Sequence, residues 1–428
     1  MSRRNEIETQ IKDLLKEYFS ETRSNSEFVP GKTRVPLMIP SYDWEEVVEA
    51  INSMLTDRVT MGDKVKQFES MFAHSIGASH AIMVNSGSSA NLLALSILTN
   101  ALLKERIKPG DEIITPAVTW VTTVFPILNC GATPVLVDVD LDTFDISPDE
   151  VEKAITDRTR AIMLVHLLGN PCHMDRIMEI ARRHNLYVIE DACEAHGAEF
   201  KGKRVGSFGD LATFSFFFSH HISTIEGGMV LTSNEEFAEL ARALRVFGWI
   251  RDLRDKDEVA KQYTDIDSRY LFVNIGYNLR PTEIQGAFGI HQVGRLDRFI
   301  EIRRENAEFW FESLKQYEDY LLLHKEREGT KHAWFAYPMT VRPEAPFTKQ
   351  DLINFLEAKG VETRPVMAGN IDEQPAMRLF SYRKVGDLPN SRLIMRQSFL
   401  FGNHQGILKK EREAIAEYVS EFIAKMTK

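Results

Sequence analysis

The chain has 428 residues, of which 43% are hydrophobic, so it can bury a large core in about two or three domains. Its formal net charge of −10, without any long run of Lys or Arg, disfavours nucleic acid as a partner. Its charged N-terminus and the lack of roughly 18 consecutive apolar residues disfavour secretion and membrane spanning, so we expect a cytoplasmic protein.

Three regions follow one another along the chain. Residues 1–33 are polar with apolar side chains at helical spacing, which predicts an N-terminal arm carrying one amphipathic helix. Within residues 34–300, strand-like apolar runs alternate with helical stretches, so we expect βαβ units and a sheet covered by helices on both faces. Residues 301–428 contain the end of a long charged helical pattern and, after it, short strand and helix patterns. This order indicates a smaller C-terminal α/β domain.

The first segment that suggests chemistry is NSGSSANLLAL at 85–95, where a strand pattern stops and a helical pattern begins. Backbone N–H groups at a helix N-terminus, supplemented by serine hydroxyls, are suited to bind a phosphate. The alternative interpretation is an N-cap, because serine is favoured at that position for structural reasons alone.

Two further segments contain residues that could take part in binding or catalysis. In VIEDACEAHGA at 188–198 an apolar strand ends on Asp191. The Asp191 carboxylate could either pair with a protonated ring nitrogen of a ligand or cap a turn. In TFSFFFSHHISTIEGGMVLT at 213–232 two adjacent histidines follow a strand, a position that surface or core histidines also occupy. The cysteines, Cys130, Cys172 and Cys193, complete no zinc spacing, so we predict no metal site.

Six segments, taken in order, resemble the DegT/DnrJ/EryC-type sugar aminotransferases, which act on nucleotide-linked keto sugars. They are SGSSA, TPAVTW, EDACEAHGA, TFSFF, EGGMV and GYNLRPTEIQGA, and the match extends from about Val35 onward. The resemblance implies the aspartate aminotransferase fold, an α/β architecture with a large mostly parallel sheet domain plus a smaller C-terminal α/β domain. It also implies pyridoxal phosphate as cofactor.

One position departs from the aminotransferases. Their pattern places a lysine, which forms a Schiff base with the cofactor, five residues after a serine, whereas five residues after Ser215 this chain has His220. A histidine within SHHI and before EGG resembles the 3-dehydratases that remove the C3 hydroxyl of nucleotide 4-keto-6-deoxy sugars. The segments TRPVMAGN at 363–370 and FGNHQ at 401–405 support that branch.

The 3-dehydratases that this chain resembles form two branches. One carries an iron–sulfur cluster on four cysteines and couples to a reductase. Cys193 matches the first cluster position, but residues 248–263, where the other three would lie, contain no cysteine. We therefore expect the other branch, in which L-glutamate restores pyridoxamine phosphate, with neither an iron–sulfur cluster nor a reductase partner.

The resemblance implies roles for individual residues. The cofactor would be bound by Gly87, Ser88, Ser89 and Ser215 at its phosphate, by Trp120 and His196 on its two faces and by Asp191 at its ring nitrogen. Asn278 would reach the phosphate of the neighbouring subunit, which implies a homodimer with shared active sites. Arg251, Arg280 and Arg364 would bind glutamate or substrate. A structural His196 and solvated or interface arginines remain alternatives.

His220 is the expected catalytic residue. Imidazole cannot form a Schiff base, and its ordinary pKa of about 6.5 suits it to exchange protons. The implied reaction is 3-dehydration of a nucleotide-linked 4-keto-6-deoxyhexose, with GDP-4-keto-6-deoxy-D-mannose the first candidate, in 3,6-dideoxysugar biosynthesis. Glutamate would leave as 2-oxoglutarate and the amino group as ammonia. A sugar aminotransferase and a non-catalytic relative of the same fold are the alternatives.

Overall fold

A computed structural model describes residues 3–23 and 28–427. The helices are α1 Arg3–Arg23, α2 Trp44–Met54, α3 Asp63–Ile76, α4 Gly87–Leu98, α5 Val121–Asn129, α6 Pro148–Ala154, α7 Met174–His184, α8 Glu235–Arg245, α9 Lys256–Lys261, α10 Glu283–Val293, α11 Leu296–Leu314, α12 Lys349–Ala358, α13 Pro389–Gln397 and α14 Lys409–Met426.

The strands alternate with these helices over most of the chain. They are β1 His80–Val84, β2 Glu112–Pro116, β3 Thr133–Val137, β4 Thr159–Val165, β5 Tyr187–Asp191, β6 Glu199–Phe200, β7 Lys203–Arg204, β8 Leu211–Ser215, β9 Gly228–Thr232, β10 Leu321–Leu323, β11 Thr330–Lys331, β12 Ala336–Val341, β13 Thr363–Pro365, β14 Arg383–Lys384 and β15 Ser398–Gly402.

The central sheet contains eight strands in the order β1-β9-β8-β5-β4-β2-β3-β14. The six strands from β8 to β14 run parallel to one another, whereas β9 is antiparallel to both of its neighbours. The strands β2, β8 and β9 are buried along their whole length, as expected for a sheet covered on both faces. The predicted mostly parallel sheet is confirmed.

A second, antiparallel sheet has the order β10-β12-β15-β13. Trp310 of α11 packs edge to face against Tyr337 of β12 and Phe401 of β15, with ring centroids 5.1 and 4.9 Å apart. The aromatic and aliphatic side chains of this sheet form one buried cluster with α11, α12 and α14. The C-terminal part of the chain therefore has its own core.

The two sheets are not divided cleanly along the chain. The predicted boundary between residues 300 and 301 falls inside α11. The short strand β14, from the C-terminal part, pairs in parallel with β3 and extends the central sheet. A domain division at residues 300 and 301 stays a prediction.

The predicted N-terminal helix corresponds to α1, which packs against α2. The ammonium groups of Lys12 and Lys16 lie 5.4 and 5.7 Å from the centre of the Trp44 ring. Residues 24–27 of the predicted arm lie outside the described residues. In the described part of the chain, no helix combines the length and apolar character that crossing a bilayer requires.

Candidate active site

A cavity of about 590 Å³ opens where β5 and β8 end. Asp191 is the last residue of β5 and Ser215 the last of β8, and the start of α4 lies against them. Open α/β sheets bind ligands at the carboxyl ends of their parallel strands. The predicted site residues that line this cavity are Gly87, Ser88, Trp120, Asp191, Ser215, His220 and Arg364.

The start of α4 is capped by Ser86, not by the serines that follow it. The Ser86 Oγ accepts a hydrogen bond from the backbone N–H of Ser89 at 3.1 Å and donates one to the Ser89 Oγ at 3.0 Å. Ser89 is thereby engaged in the cap and does not line the cavity. The backbone N–H groups of Gly87 and Ser88 make no hydrogen bond with the described residues, so both remain available to an anion.

Two glycines bring the helix start close to the strands beneath it. A Cβ atom on Gly87 would lie 2.4 Å from the Ser215 Cβ and 2.9 Å from its Oγ. A Cβ atom on Gly228 would lie 2.2 Å from the carbonyl oxygen of Ser86. Only a residue without a side chain permits these approaches. The helix start and the Ser215 hydroxyl therefore form one compact anion-binding cradle.

Asp191 is buried and held by a network of hydrogen bonds. Its Oδ2 accepts from the Asn91 side-chain amide and from the Thr123 hydroxyl, each at 2.8 Å, and its Oδ1 accepts from the Cys193 backbone N–H at 3.2 Å. Thr213 in turn donates to the Asn91 Oδ1 at 2.6 Å. These hydrogen bonds fix the orientation of the Asp191 side chain at the cavity, where it is placed to pair with a cationic ring nitrogen. Sequence analysis missed Asn91 and Thr123, whose side chains orient this carboxylate.

His220 is half-buried, and its Nδ1 is buried without a hydrogen-bond partner among the described residues. Its ring lies 5.2 Å from the Phe335 ring, centroid to centroid. Burial, together with the positive charge of Arg303, lowers the pKa of His220 to about 3. The imidazole is therefore neutral at physiological pH in the cofactor-free protein.

The other two histidines of this region lie behind His220. The His196 ring is 6.0 Å from the His220 ring and packs among phenylalanine rings, and neither of its nitrogens has a hydrogen-bond partner among the described residues. The Nε2 of His221 is 2.9 Å from the carbonyl oxygen of Ala333. Burial lowers the pKa of both side chains far below the usual range. Neither residue lines the cavity, so both are placed to support His220.

Glu194 is a cavity residue that sequence analysis missed. Its Oε2 accepts from the backbone N–H of Leu168 at 2.8 Å. Burial, and to a smaller extent the nearby Asp191 carboxylate, raises the pKa of Glu194 to about 8. The carboxyl group is therefore mostly protonated at neutral pH and can donate a hydrogen bond. Its only sequence signal was its position three residues after Asp191.

Trp120 and Arg364 line the cavity from other elements. Trp120 is the N-cap residue of α5 and is 53% exposed, so its indole offers a flat apolar surface to a ligand. Arg364 of β13 donates to the Glu362 carboxylate at 2.6 Å and to the Thr363 carbonyl oxygen. Its charge is thus already paired within the protein.

Three predicted residues lie outside the cavity, in the segment 246–280. The Asn278 Oδ1 accepts from the Arg280 Nε at 3.0 Å, and the Arg280 guanidinium lies over the Phe247 ring at 5.4 Å. Arg251 lies over the Trp249 ring at the same distance and lines a separate cavity of about 420 Å³. Within one chain, these residues are not brought to the Asp191 cavity.

Comparisons with known proteins place the chain in a defined family. Residues 40–420 match the sequence profile of the DegT/DnrJ/EryC1/StrS aminotransferase family. The chain is 38% identical over 424 residues to dTDP-4-dehydro-2,6-dideoxy-D-glucose 3-dehydratase of Saccharopolyspora spinosa, covering 96% of this chain and 91% of that protein. It is 37% identical to GDP-4-keto-6-deoxy-D-mannose 3-dehydratase of Escherichia coli O55:H7, covering 89% of this chain and 98% of the relative.

A solved structure supports the same relationship. The crystal structure of GDP-4-keto-6-deoxymannose-3-dehydratase with a trapped PLP-glutamate geminal diamine superposes with a TM-score of 0.85 at 36% identity. The match covers 91% of this chain and 99% of the other. The predicted aspartate aminotransferase fold is confirmed.

Proposed function

Because the chain belongs to the DegT/DnrJ/EryC1/StrS aminotransferase family, we propose that it is a pyridoxamine-phosphate-dependent 3-dehydratase of a nucleotide-linked 4-keto-6-deoxyhexose. The observation that carries the proposal is His220, which lines the cavity with Asp191 and the start of α4. No lysine is among the described residues that line this cavity. A lysine is the residue that an aminotransferase of this fold requires.

The residues present fit the cofactor. The anion-binding cradle of Gly87, Ser88 and Ser215 suits a phosphate dianion, and the oriented Asp191 carboxylate suits a protonated pyridine nitrogen. The Trp120 indole provides an apolar surface for the ring. When bound, pyridoxamine phosphate supplies an amino group for the C4 ketone of the sugar and an electron-accepting ring.

His220 is the proton carrier. Its imidazole is neutral and lines the cavity, where it would take a proton from C4′ of the cofactor and deliver one to the departing C3 oxygen of the sugar. Overall, the keto sugar and glutamate give the 3-deoxy sugar, 2-oxoglutarate and ammonia. Oxidation of glutamate by two electrons balances removal of the C3 oxygen.

A homodimer would bring the remaining predicted residues to the site. The segment 246–280, which carries Arg251, Asn278 and Arg280, exposes several large apolar side chains. They are Phe247, Tyr263, Ile266, Tyr270, Phe272, Ile275 and Tyr277, and Ile275 is 92% exposed. Apolar surface of this extent is typical of an interface. Arg251 makes no ion pair with the described residues, so its guanidinium is available to a glutamate carboxylate at a partner's cavity.

The test is direct product analysis. The protein, pyridoxal phosphate, L-glutamate and GDP-4-keto-6-deoxy-D-mannose should give a sugar nucleotide lighter by one oxygen, with one 2-oxoglutarate per product. One similar protein is named for a dTDP-linked sugar and another for a GDP-linked sugar. The assay therefore includes GDP-, CDP- and dTDP-linked 4-keto sugars. The proposal would be overturned if none of the three substrates were deoxygenated. An accumulating amino sugar would identify an aminotransferase.

A glutamate-only experiment separates the remaining alternative. Glutamate added to the pyridoxal-phosphate-loaded enzyme should convert the cofactor to its amine form, with loss of visible absorbance and release of 2-oxoglutarate. An unchanged spectrum would identify a non-catalytic relative.

A further inference from the structure

Arg303 of α11 is buried without an acidic partner. Its Nη1 donates to the backbone carbonyl oxygens of Trp334 at 3.2 Å, Phe335 at 2.9 Å and Asn403. No carboxylate pairs with it in the described part of the chain, and its buried Nε has no hydrogen-bond partner there. Burying an uncompensated charge is costly, so a buried guanidinium held only by neutral carbonyls calls for a reason.

The carbonyls that Arg303 holds belong to the wall behind His220. Trp334 has a left-handed backbone with φ of 48°, which is rare for a bulky residue, and its N–H donates to the His332 Nδ1 at 2.8 Å. Phe335 follows and contacts the His220 ring. The carbonyl oxygens of residues 333–335 are all hydrogen-bonded, the first by His221 and the next two by Arg303. Arg303 thus anchors this unfavourable turn.

Arg303 also joins a motif outside the cavity to this wall. Its backbone carbonyl oxygen accepts from the Asn403 side chain at 3.0 Å, while its guanidinium donates to the Asn403 carbonyl oxygen. Asn403 lies in the FGNHQ segment. The neighbouring His404 is buried and accepts the Gly406 backbone N–H at its Nδ1. The segment therefore fixes the position of Arg303.

The charge of Arg303 acts on the imidazoles around it. After burial, it is the second cause of the lowered pKa of both His220 and His221, and it contributes at His196 and His404. Five other charged or titratable groups line the same cavity as His220: Asp191, Cys193, Glu194, Glu226 and Arg364, and burial raises the pKa of the Cys193 thiol so that it stays neutral. Glu194 is mostly protonated and so carries little negative charge, and Arg364, whose charge has the same sign as that of Arg303, is paired with Glu362. Asp191 accepts three hydrogen bonds, and neither Asp191 nor Glu226 contributes to the shift of the His220 pKa.

We propose that Arg303 is a positioning residue that anchors residues 333–335 against His220 and places its positive charge behind that imidazole. The consequence for the reaction rests on the proposed function. The effect on the protonation of His220 does not, so the two can be tested separately.

Two substitutions separate charge from anchoring. Arg303→Gln removes the charge but keeps an amide donor for the carbonyls, whereas Arg303→Lys keeps the charge but loses the planar fork. Arg304→Met is the matched control, because Arg304 is adjacent on α11 but pairs with Glu301 and Glu326. Each protein is labelled with [¹³Cε1]histidine and titrated by NMR without cofactor. His220→Asn assigns the signal.

The expected result is a different response of each variant. In the wild type and in Arg304→Met, His220 stays neutral down to about pH 4, as its pKa of about 3 requires. In Arg303→Gln its titration midpoint moves to higher pH, and in Arg303→Lys the midpoint stays while kcat falls roughly tenfold or more through loss of alignment. A wild-type midpoint near the ordinary histidine value, or equal midpoints in the Gln and Lys variants, would overturn the proposal.

Failure of the proposed function gives a distinguishable outcome. If the wild type deoxygenates no keto sugar but the His220 midpoint moves only in Arg303→Gln, the protonation role of Arg303 stands and the enzymatic assignment falls. If the wild type deoxygenates and the midpoint does not move, the enzymatic assignment stands and the role of Arg303 falls. If a variant does not fold, the wild-type titration still tests the lowered pKa of His220, and a midpoint near the ordinary histidine value overturns the proposal.

Discussion

Replacing Gly87 by alanine tests the cradle at the start of α4. Inside a helix alanine is favoured over glycine by about 1 kcal/mol, so helix propensity alone predicts a gain in stability of at most that size at the first residue of α4. The structure predicts the opposite, because the new Cβ would lie 2.4 Å from the Ser215 Cβ and 3.1 Å from its Cα. Carbon atoms pack at about 3.5 Å or more, so α4 and the end of β8 must separate by roughly 1 Å.

The magnitude follows from these two opposing effects. Overpacking of this kind costs roughly 1–3 kcal/mol, which leaves a net loss of about 0–3 kcal/mol after a gain in helix propensity of at most about 1 kcal/mol. The affinity for pyridoxal phosphate should also fall, by about tenfold or more, because the N–H groups of α4 and the Ser215 hydroxyl would no longer point to one phosphate position.

The assay combines urea unfolding of the cofactor-free protein with fluorescence titration of pyridoxal phosphate. Gly294→Ala is the matched control, since Gly294 follows α10 with φ of −68° and the nearest atom to its new Cβ lies 4.0 Å away. That variant should retain wild-type stability and affinity. Wild-type affinity in Gly87→Ala would refute the assignment of the cradle.

The remaining predictions concern single side chains of the cavity. His220→Asn should lower deoxygenation roughly 100- to 10,000-fold in a steady-state assay while pyridoxal phosphate affinity stays near wild type; loss of both together would make His220 a binding residue. His220→Lys should lose deoxygenation and gain a borohydride-stable, visibly absorbing cofactor adduct, and normal turnover would contradict the role of His220. Asp191→Asn should weaken cofactor binding in equilibrium dialysis, and unchanged binding would remove Asp191 from the ring-nitrogen site. Burial raises the pKa of Glu194 to about 8 from an ordinary 4.5, so between these pH values the folded protein keeps a proton that the unfolded protein loses. The contribution of Glu194 to the free energy of unfolding therefore falls as the pH rises from 4.5 to about 8. Glu194→Gln should therefore raise the melting temperature more at about pH 9 than at about pH 5; a pH-independent difference would contradict this.

Local sequence identified those parts of the site that depend on local structure. A strand that ends on a carboxylate and a serine-rich helix start are visible in ten residues, and β5 and α4 lie where those patterns place them. The choice of Ser86 as N-cap was beyond the pattern, because several serines in a row satisfy it equally. Only the hydrogen bond to Ser89 distinguishes among them.

The features that could not be predicted from the sequence depend on contacts between residues far apart in the chain. Arg303 lies 83 positions after His220 in the chain, in a charged helix that reads as solvent-exposed, yet it is buried. The two-residue strand β14 joins the central sheet more than 240 residues after β3, and so short a segment has no periodicity. Glu194 acquires its raised pKa from burial, which its residue type does not indicate.

The surroundings of position 220 explain why an imidazole suits it. A lysine ammonium there would be a second cation beside the buried Arg303, and the burial that lowers the pKa of His220 to about 3 would disfavour that charge as well. Histidine avoids both costs because its neutral form is already the proton-accepting one. The guanidinium can then hold residues 333–335 without repelling the side chain it supports. Neutral His220 and charged Arg303 are therefore compatible neighbours, whereas a charged lysine at position 220 would not be.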